Sequence, residues 1–150
     1  KELTIDENSQ IKVVGERAFE NCTAVKSIIL PATVTEIGEC AFRHCWKLET
    51  FVIPPQVTHL KENVFQAYEK MEEFVIPKAV NKIDYLAFYE CYGLKRVVFE
   101  EVSGWTVMVA TDTGSMITVS LAKSDLSNAE TAAQFLTQQA HYLQATWRRS

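Results

Sequence analysis

The stretch VTEIGECAFRHCWKLETFVIP, residues 34–54, decides how this chain folds. It places Cys40, His44 and Cys45 within six residues, which raises the question of a metal or catalytic site. The same arrangement of apolar residues recurs before and after it along the chain. The stretch is therefore one copy of a repeat, and each of its residues has to be interpreted by its position in that repeat.

Four segments of 23 residues align without a gap, at residues 11–33, 34–56, 57–79 and 80–102. Positions 4, 15, 18 and 20 are apolar in every copy, and position 9 is always phenylalanine. Position 12 is cysteine in three copies and tyrosine in the other. Positions 9 and 12 are occupied, in chain order, by Phe19, Phe42, Phe65 and Phe88, and by Cys22, Cys45, Tyr68 and Cys91.

A period of 20–29 residues is typical of leucine-rich-repeat coils, which stack and share one core. Positions 15 to 20 alternate inward and outward, which predicts a strand in each coil and a parallel sheet on the concave face. The segment from Gly15 or Gly38 to the phenylalanine predicts a turn and a short helical or 3₁₀ piece on the convex side. Residues 1–10 form half a repeat, because Lys1–Ile5 aligns with Lys26–Leu30.

The second segment carries the pattern I-x-x-I-G-x-x-A-F-x-x-C-x-x-L-x-x-I-x-I-P almost position by position. This pattern resembles the BspA-like leucine-rich repeat of bacterial surface proteins over residues 1–102. Lys61, Val64, Tyr68 and Asp84 depart from it. The resemblance implies an α/β solenoid in a secreted or surface-anchored bacterial protein, and some members are adhesins that bind host matrix proteins. It also implies an extracellular location, with a signal peptide removed.

The repeat stops at Val102, and residues 103–150 are expected to seal the last coil. Two β-rich runs around Asp112–Ser115 predict a hairpin. Ser127 to Glu130 has the form of a capping box that opens a helix to about Trp147. The apolar residues of that helix recur at helical spacing and are expected to cover the core together with Trp105. They are Ala132, Leu136, Ala140, Leu143 and Trp147.

Composition limits the function. The chain has 150 residues, the size of one domain, and a formal net charge of −4, which argues against a nucleic-acid binder. No apolar run approaches the roughly 18 residues that a membrane span needs. The polar first ten residues are not a signal peptide, so the protein is either cytosolic or processed. Four cysteines are too few for a disulfide scaffold.

The repeat positions separate the two cysteines of the opening stretch. Cys45 occupies position 12 and should point into the core as a small apolar residue. Cys40 occupies position 7 and is expected to be more exposed. A zinc site needs about four converging ligands, whereas Cys40 and His44 supply two at most. We therefore expect no metal and no cofactor.

Two further motifs have simpler explanations. Asp112-Thr113-Gly114 resembles the aspartic-protease motif, but that chemistry needs two carboxylates that share a proton, and a hairpin turn accounts for these residues. Asn21-Cys22-Thr23 is a glycosylation sequon that a buried Cys22 would make accidental. We expect no catalytic residues and no enzymatic activity.

The outward strand positions are the candidate binding residues. Position 19 gives an apolar stripe and position 17 gives a polar row beside it, and an exposed apolar row with a polar rim often marks a recognition surface. The alternative is that β-branched residues simply suit a sheet. We predict either a recognition module for a host protein or glycan, or a structural spacer without a ligand. The predicted binding residues are Ile29, Val52, Val75, Val98, Thr50, Glu73 and Arg96.

Overall fold

The computed structural model describes residues 1–110, 116–121, 123–134, 136–137 and 146–149. Short strands follow one another at the period of the repeat, and two short helices precede the last strand. The elements are β1 (Glu2–Thr4), β2 (Val13–Val14), β3 (Ser27–Ile29), β4 (Glu36–Ile37), β5 (Thr50–Phe51), β6 (His59–Leu60), β7 (Glu73–Ile76), β8 (Lys82–Ile83), β9 (Arg96–Phe99), β10 (Trp105–Ala110), β11 (Met116–Ser120), α1 (Lys123–Ser127), α2 (Ala129–Gln134) and β12 (Thr146–Arg149).

The strands at positions 17 to 20 of successive coils pair in parallel, as the sequence predicts. In the first sheet, β1, β3 and β5 align so that Leu3 lies opposite Ile28 and Ile28 lies opposite Phe51. In the next, β7 and β9 align with Phe74 opposite Val97. The register is 23 residues between coils, and residues 2–4 take the place of a strand in a full coil.

The expected single sheet is divided between the second and third coils. The described strands form a three-stranded sheet, β1-β3-β5, and a two-stranded sheet, β7-β9. Position 16 gives a physical reason. It pairs Lys26 with Glu49 and Lys95 with Glu72, so the coils on the two sides of the division both carry a glutamate at this position, and like charges at neighbouring positions disfavour strand pairing. The shared core and the turn side of the coils continue across the junction.

Positions 3 and 4 of each coil form a second parallel ribbon, which the sequence analysis did not predict. β2 pairs with β4, and β6 pairs with β8, with one residue facing inward and one outward in each strand. Two-residue strands carry too little alternation to be recognised in a sequence. The chain is therefore a β-solenoid whose coils are joined on two strand faces.

The third side of each coil is built from turns, so the predicted helical or 3₁₀ segment is wrong. Positions 7 and 11 adopt positive φ in all four coils, near 54–65°. This geometry lets the amides of positions 7, 9 and 11 donate to carbonyls of the next coil, as Phe19 does to Ala41 at 2.8 Å. A helix would have turned those amides toward its own carbonyls. The positive-φ residues are Arg17, Asn21, Cys40, His44, Asn63, Ala67, Leu86 and Glu90.

The core is a stack of phenylalanines from position 9. Phe42 and Phe65 are fully buried, with ring centroids 6.0 Å apart, and Phe42 stacks on half-buried Phe19 at 5.2 Å. Phe51 and Phe74 of position 18 fill the space beside them. Each coil thus buries its apolar side against its neighbours rather than by itself.

Position 12 supplies a buried hydrogen-bond donor to the preceding coil. The Cys45 thiol donates to the Phe19 carbonyl at 3.3 Å, and the Cys91 thiol donates to the Phe65 carbonyl at 3.0 Å. The Tyr68 hydroxyl donates to the Phe42 carbonyl at 3.1 Å. Cysteine and tyrosine differ in size, but both place a donor at this carbonyl, whose oxygen can accept two hydrogen bonds.

The predicted hairpin is confirmed by the antiparallel pairing of β10 with β11, while its Asp112–Ser115 turn lies outside the described residues. The predicted long helix is wrong at both ends. α2 begins after Asn128, whose Oδ1 accepts the amides of Glu130 and Thr131, so Asn128 rather than Ser127 is the cap. The predicted helix residues Ala140 and Leu143 also lie outside the described residues.

Trp147 belongs to a strand and not to the predicted helix. β12 inserts between β8 and β10, which joins the second ribbon to the hairpin. Trp147 stacks on Phe99 with centroids 6.2 Å apart, and Trp105 meets Phe99 edge-on at 5.3 Å. Both tryptophans are buried, so aromatic rings cover the last coil. The domain boundary at residue 102 stays a prediction.

Removing the Phe42 ring should destabilise the protein strongly. Phe42→Ala is expected to lower the free energy of unfolding by about 3–5 kcal/mol, because the ring is fully buried between two coils. Chemical denaturation measures this loss. Phe19→Ala at the same repeat position is the matched control and should cost clearly less, because Phe19 is half-buried. Equal losses would show that burial does not set the cost.

The two glycines at position 5 give a second matched pair. A Cβ on Gly38 would lie 2.4 Å from the Glu16 amide nitrogen, whereas a Cβ on Gly15 meets nothing within 4 Å. Gly38→Ala should therefore cost about 1–3 kcal/mol through overpacking. Gly15→Ala should be neutral or stabilise by up to about 1 kcal/mol. Thermal unfolding of both variants checks the order, and a Gly38→Ala variant as stable as Gly15→Ala would contradict it.

Candidate functional site

The outward side of the β1-β3-β5 and β7-β9 sheets carries the predicted binding residues, and we name it the strand face. Ile29, Val52 and Val75 are exposed there, and Val52 is the most exposed of them at 79%. Val98 is half-buried, because α1 and α2 pack along β9. The apolar stripe therefore runs over three strands in the open and ends beneath the helices.

The polar row beside the stripe is exposed and partly paired. Thr50, Glu73 and Arg96 all face solvent, and Arg96 Nη1 lies 3.1 Å from Glu73 Oε2. One position earlier, Lys26 pairs with Glu49 at 2.7 Å, and this bond lowers the pKa of the Glu49 carboxyl. Exposed pairs of this kind contribute little to stability. They leave the strand face with an apolar centre and a charged edge.

The cluster that opened the sequence analysis is not brought together as a site. Cys45 is fully buried, as predicted, whereas His44 is directed to Asn21, with 3.3 Å between its Nδ1 and Asn21 Oδ1. Cys40 is also buried, at 2% exposure, so the prediction that it would be exposed is wrong. Its backbone adopts a positive φ of 54°, as at position 7 of the other coils. Across the described ranges, no three His, Cys, Asp or Glu side chains converge to hold a metal ion.

The buried thiols are poor nucleophiles. Burial raises the pKa of Cys45 and of Cys91 to about 12, and burial likewise raises the pKa of Tyr68 well above its usual value. Burial also raises the pKa of Cys40. Since the thiolate is the reactive form of cysteine, the raised pKa values make these thiols unreactive, and Cys45, Tyr68 and Cys91 serve as hydrogen-bond donors within the core.

The second ribbon carries ion pairs that the sequence analysis missed. His59 Nε2 lies 2.6 Å from Asp84 Oδ2, and Lys82 Nζ lies 2.8 Å from Asp84 Oδ1. Lys61 pairs with Glu36 in the same way, and this contact lowers the pKa of Glu36. Both links join position 3 of one coil to position 5 of the next, 25 residues on. In the sequence, residues of opposite charge 25 positions apart were the signal that could have predicted these pairs.

A cleft of about 820 Å³ lies between the fourth coil and α2, and we name it the cap cleft. Tyr89, Tyr92 and Leu94 line its coil side, and Glu130 and Gln134 line its helix side. Partial burial, then the nearby charge of Glu90, raises the pKa of Tyr89, so its phenol stays neutral. The exposed aromatic at position 13 was the only hint of this cleft in the sequence.

The fold and surfaces define a class of protein: a stack of leucine-rich-repeat coils that presents open faces. A family model for the BspA type leucine rich repeat region matches residues 1–105 with six copies. The chain therefore belongs to the BspA-type leucine-rich-repeat family, as its sequence pattern predicts. Repeats of this class are typical of recognition proteins that are not enzymes. The comparison with curated proteins found no match.

Solved structures that are similar to this chain include two bacterial leucine-rich-repeat proteins. One is a leucine rich cell surface protein from Faecalibacterium prausnitzii A2-165, with 27% identity and a TM-score of 0.62. The alignment covers 65% of this chain and 25% of that protein, so the chain spans about a quarter of its length. The other is a leucine-rich repeat protein from T. pallidum, with 21% identity and a TM-score of 0.54. It covers 64% of this chain and 57% of that one, and supports the fold.

A search for membrane-spanning helices among the described residues found none of sufficient length and hydropathy.

The buried thiols predict a loss of stability at high pH. Their folded pKa of about 12 lies above the 9.0 of a free cysteine thiol, so folding holds them protonated. Their contribution is complete below pH 9 and is lost as the pH rises toward 12, by about 1.4 kcal/mol per pH unit for each thiol. Urea unfolding across this range measures the slope. The Cys45→Ala/Cys91→Ala variant should have a shallower slope, and an unchanged slope would rule the thiols out as its source.

Proposed function

We propose that the protein is a non-enzymatic recognition module of a secreted or surface-exposed bacterial protein, and that it binds a host protein or glycan through the strand face. The exposed stripe of Ile29, Val52 and Val75 carries this proposal. Apolar side chains in an open row lose contact with water only when a partner covers them. Because the row lies at the same outward position of successive coils, it stays exposed to solvent after the coils have stacked.

The distribution of charge favours recognition over a purely structural explanation. Strand propensity accounts for valine and isoleucine at position 19, but it does not account for the charges beside them. Glu73 and Arg96 are exposed on the polar row, where they can hydrogen-bond a partner while the stripe supplies apolar area. Arg96 also reaches the cap cleft, which makes the strand face continuous with a concave surface.

The size of the strand face limits the partner. Five strands at about 4.8 Å spacing give a width of roughly 20–25 Å. With about 10–15 Å of strand length, the face offers a few hundred Å², below the roughly 800 Å² that each partner buries in a standard protein complex. A peptide, a glycan or a weakly held protein fits this area. Tight binding of a protein would need additional coils or surfaces.

The spacer function is the competing proposal. The F. prausnitzii protein is about four times as long as the part that this chain matches, which would suit repeats that extend and display another region. A spacer needs no ligand, so its exposed residues should tolerate substitution without any loss of binding. The two proposals therefore differ in a measurable outcome.

Aspartates on the stripe should abolish binding by the strand face. The Val52→Asp/Val75→Asp variant and the parent chain are compared on an array of matrix proteins, mucins and glycans. We expect at least one target to bind the parent and to lose about tenfold or more in affinity for the variant, because two buried charges without partners are costly.

Val13→Asp is the matched control. Val13 is 54% exposed on β2 of the second ribbon, so the substitution adds one negative charge, against two in the variant, on another face and should leave binding unchanged. Equal losses in the variant and the control would point to a charge effect. A target that binds the aspartate variant normally would exclude the strand face. If the parent chain binds no target on the array, the spacer function is favoured.

A further inference from the structure

The cap cleft has the dimensions and the lining of a small-molecule site. Its volume of about 820 Å³ lies within the range of roughly 300–1,000 Å³ typical of ligand pockets. Its walls belong to two different parts of the chain: the turn side of the fourth coil and one side of α2. Leu94 and buried Ala133 give it an apolar component, whereas polar side chains surround them.

Contacts that lie outside the cleft hold its walls in place. α2 is capped by Asn128 and packs along β9. On the coil side, the Cys91 thiol is bonded to the Phe65 carbonyl. Gly93 approaches the third coil so closely that a Cβ would lie 2.3 Å from the Glu69 carbonyl oxygen. The opening is therefore set by the fold before any ligand binds.

The formal charges of the residues that line the cleft sum to zero. Its lining contains two acids, Glu90 and Glu130, and two bases, Lys95 and Arg96. Both bases have partners outside the cleft: Lys95 lies 2.7 Å from Glu72, and Arg96 pairs with Glu73. Because both bases are already paired with carboxylates, an anionic ligand would meet no free cation among the described residues of the cleft to offset its desolvation.

The polar groups combine donors and acceptors. Carboxylates accept only, lysine and arginine donate only, and the Gln134 amide does both. A hydroxyl group donates one hydrogen bond and accepts others, so a ligand with several hydroxyls satisfies such a mixed set, whereas an anion or a cation satisfies half of it. Glu90 is already oriented, since it accepts a hydrogen bond of 3.3 Å from Gln66 Nε2.

An exposed aromatic ring completes the lining. Tyr92 is 81% exposed, which makes it the most exposed of the large apolar side chains among the described residues. A large aromatic ring in water offers an apolar face to a ligand at little entropic cost, because two torsions orient it. The C–H face of a pyranose ring is the matching surface on a ligand that also carries hydroxyls.

We propose that the cap cleft binds a neutral sugar residue, whose ring lies on Tyr92 and whose hydroxyls bond Glu90, Glu130 and Gln134. The cap cleft adjoins the strand face at Arg96, but the proposed sugar contacts use other residues, so the proposal does not depend on the binding activity of that face. The sugar is a free saccharide or the end of a glycan chain, since the cleft is open to solvent on one side.

Calorimetric titration of the intact chain tests the proposal. The neutral probes are glucose, galactose, mannose, fucose, N-acetylglucosamine and N-acetylgalactosamine, and the charged probes are glucosamine and glucuronic acid. At least one neutral sugar should bind, and its affinity should change less than about twofold between roughly 50 mM and 500 mM NaCl, because no net charge is matched. A disaccharide or glycan that ends in the same sugar is titrated as well. If it binds more tightly than the free saccharide, the ligand of the cleft is the end of a glycan chain.

Variants locate the site. Tyr92→Ala should weaken the binding of that sugar about fivefold or more, whereas Tyr92→Phe should retain it, because the ring face is kept. Glu130→Gln should weaken it several-fold by loss of a charged acceptor. Trp46→Ala is the matched control, since Trp46 is exposed at the same repeat position of the second coil and lies outside the cleft.

The outcomes separate the proposals. Failure of all six neutral sugars, tighter binding of a charged probe, or equal affinity of the Tyr92→Ala variant would overturn the sugar site. Equal weakening by Trp46→Ala would overturn its location. The Val52→Asp/Val75→Asp variant should bind the sugar normally, so a failure of the strand face and a failure of the cap cleft are observed independently.

Discussion

The hydrogen bond from position 12 of one coil to the position 9 carbonyl of the coil before it is the constraint on which the rest of the solenoid depends. Stacking of the position 9 rings brings the carbonyls of this position within reach of a side-chain donor from the next coil, and a carbonyl oxygen can accept two hydrogen bonds. Cys45, Tyr68 and Cys91 supply that donor. The partners are 26 residues apart in every case, which holds successive coils in one register.

This bond explains the chemistry of position 12. Cysteine fits because it is small and apolar and still carries a proton, and burial raises the pKa of Cys45 and Cys91 so that the proton stays. Tyrosine can replace it because its hydroxyl reaches the same carbonyl. Cysteines in such a repeat are therefore structural, even where a histidine stands beside them in the sequence.

The sequence was sufficient for the stacking and the strand register, because the apolar positions repeat without a gap. It was insufficient for the turn side. Positions 7 and 11 adopt positive φ with residues as different as Arg17, Cys40, Leu86 and Glu90, none of which is a glycine. The amides of Arg17 and Cys40 donate hydrogen bonds to the next coil, so residue type does not reveal the conformation. The end of the predicted helix was missed because β12 is set by its partners β8 and β10.

The two candidate surfaces differ in what creates them, and this explains why only one could be predicted. The strand face follows from alternation within each coil, so Val52 and Val75 could be assigned from sequence alone. The cap cleft exists only because α2 packs along β9, an arrangement between segments that no local pattern encodes. The same packing half-buries Val98, so it shortens the apolar stripe while it opens the cleft. Additional coils would lengthen the strand face, but the cleft needs a cap and can occur only where one packs.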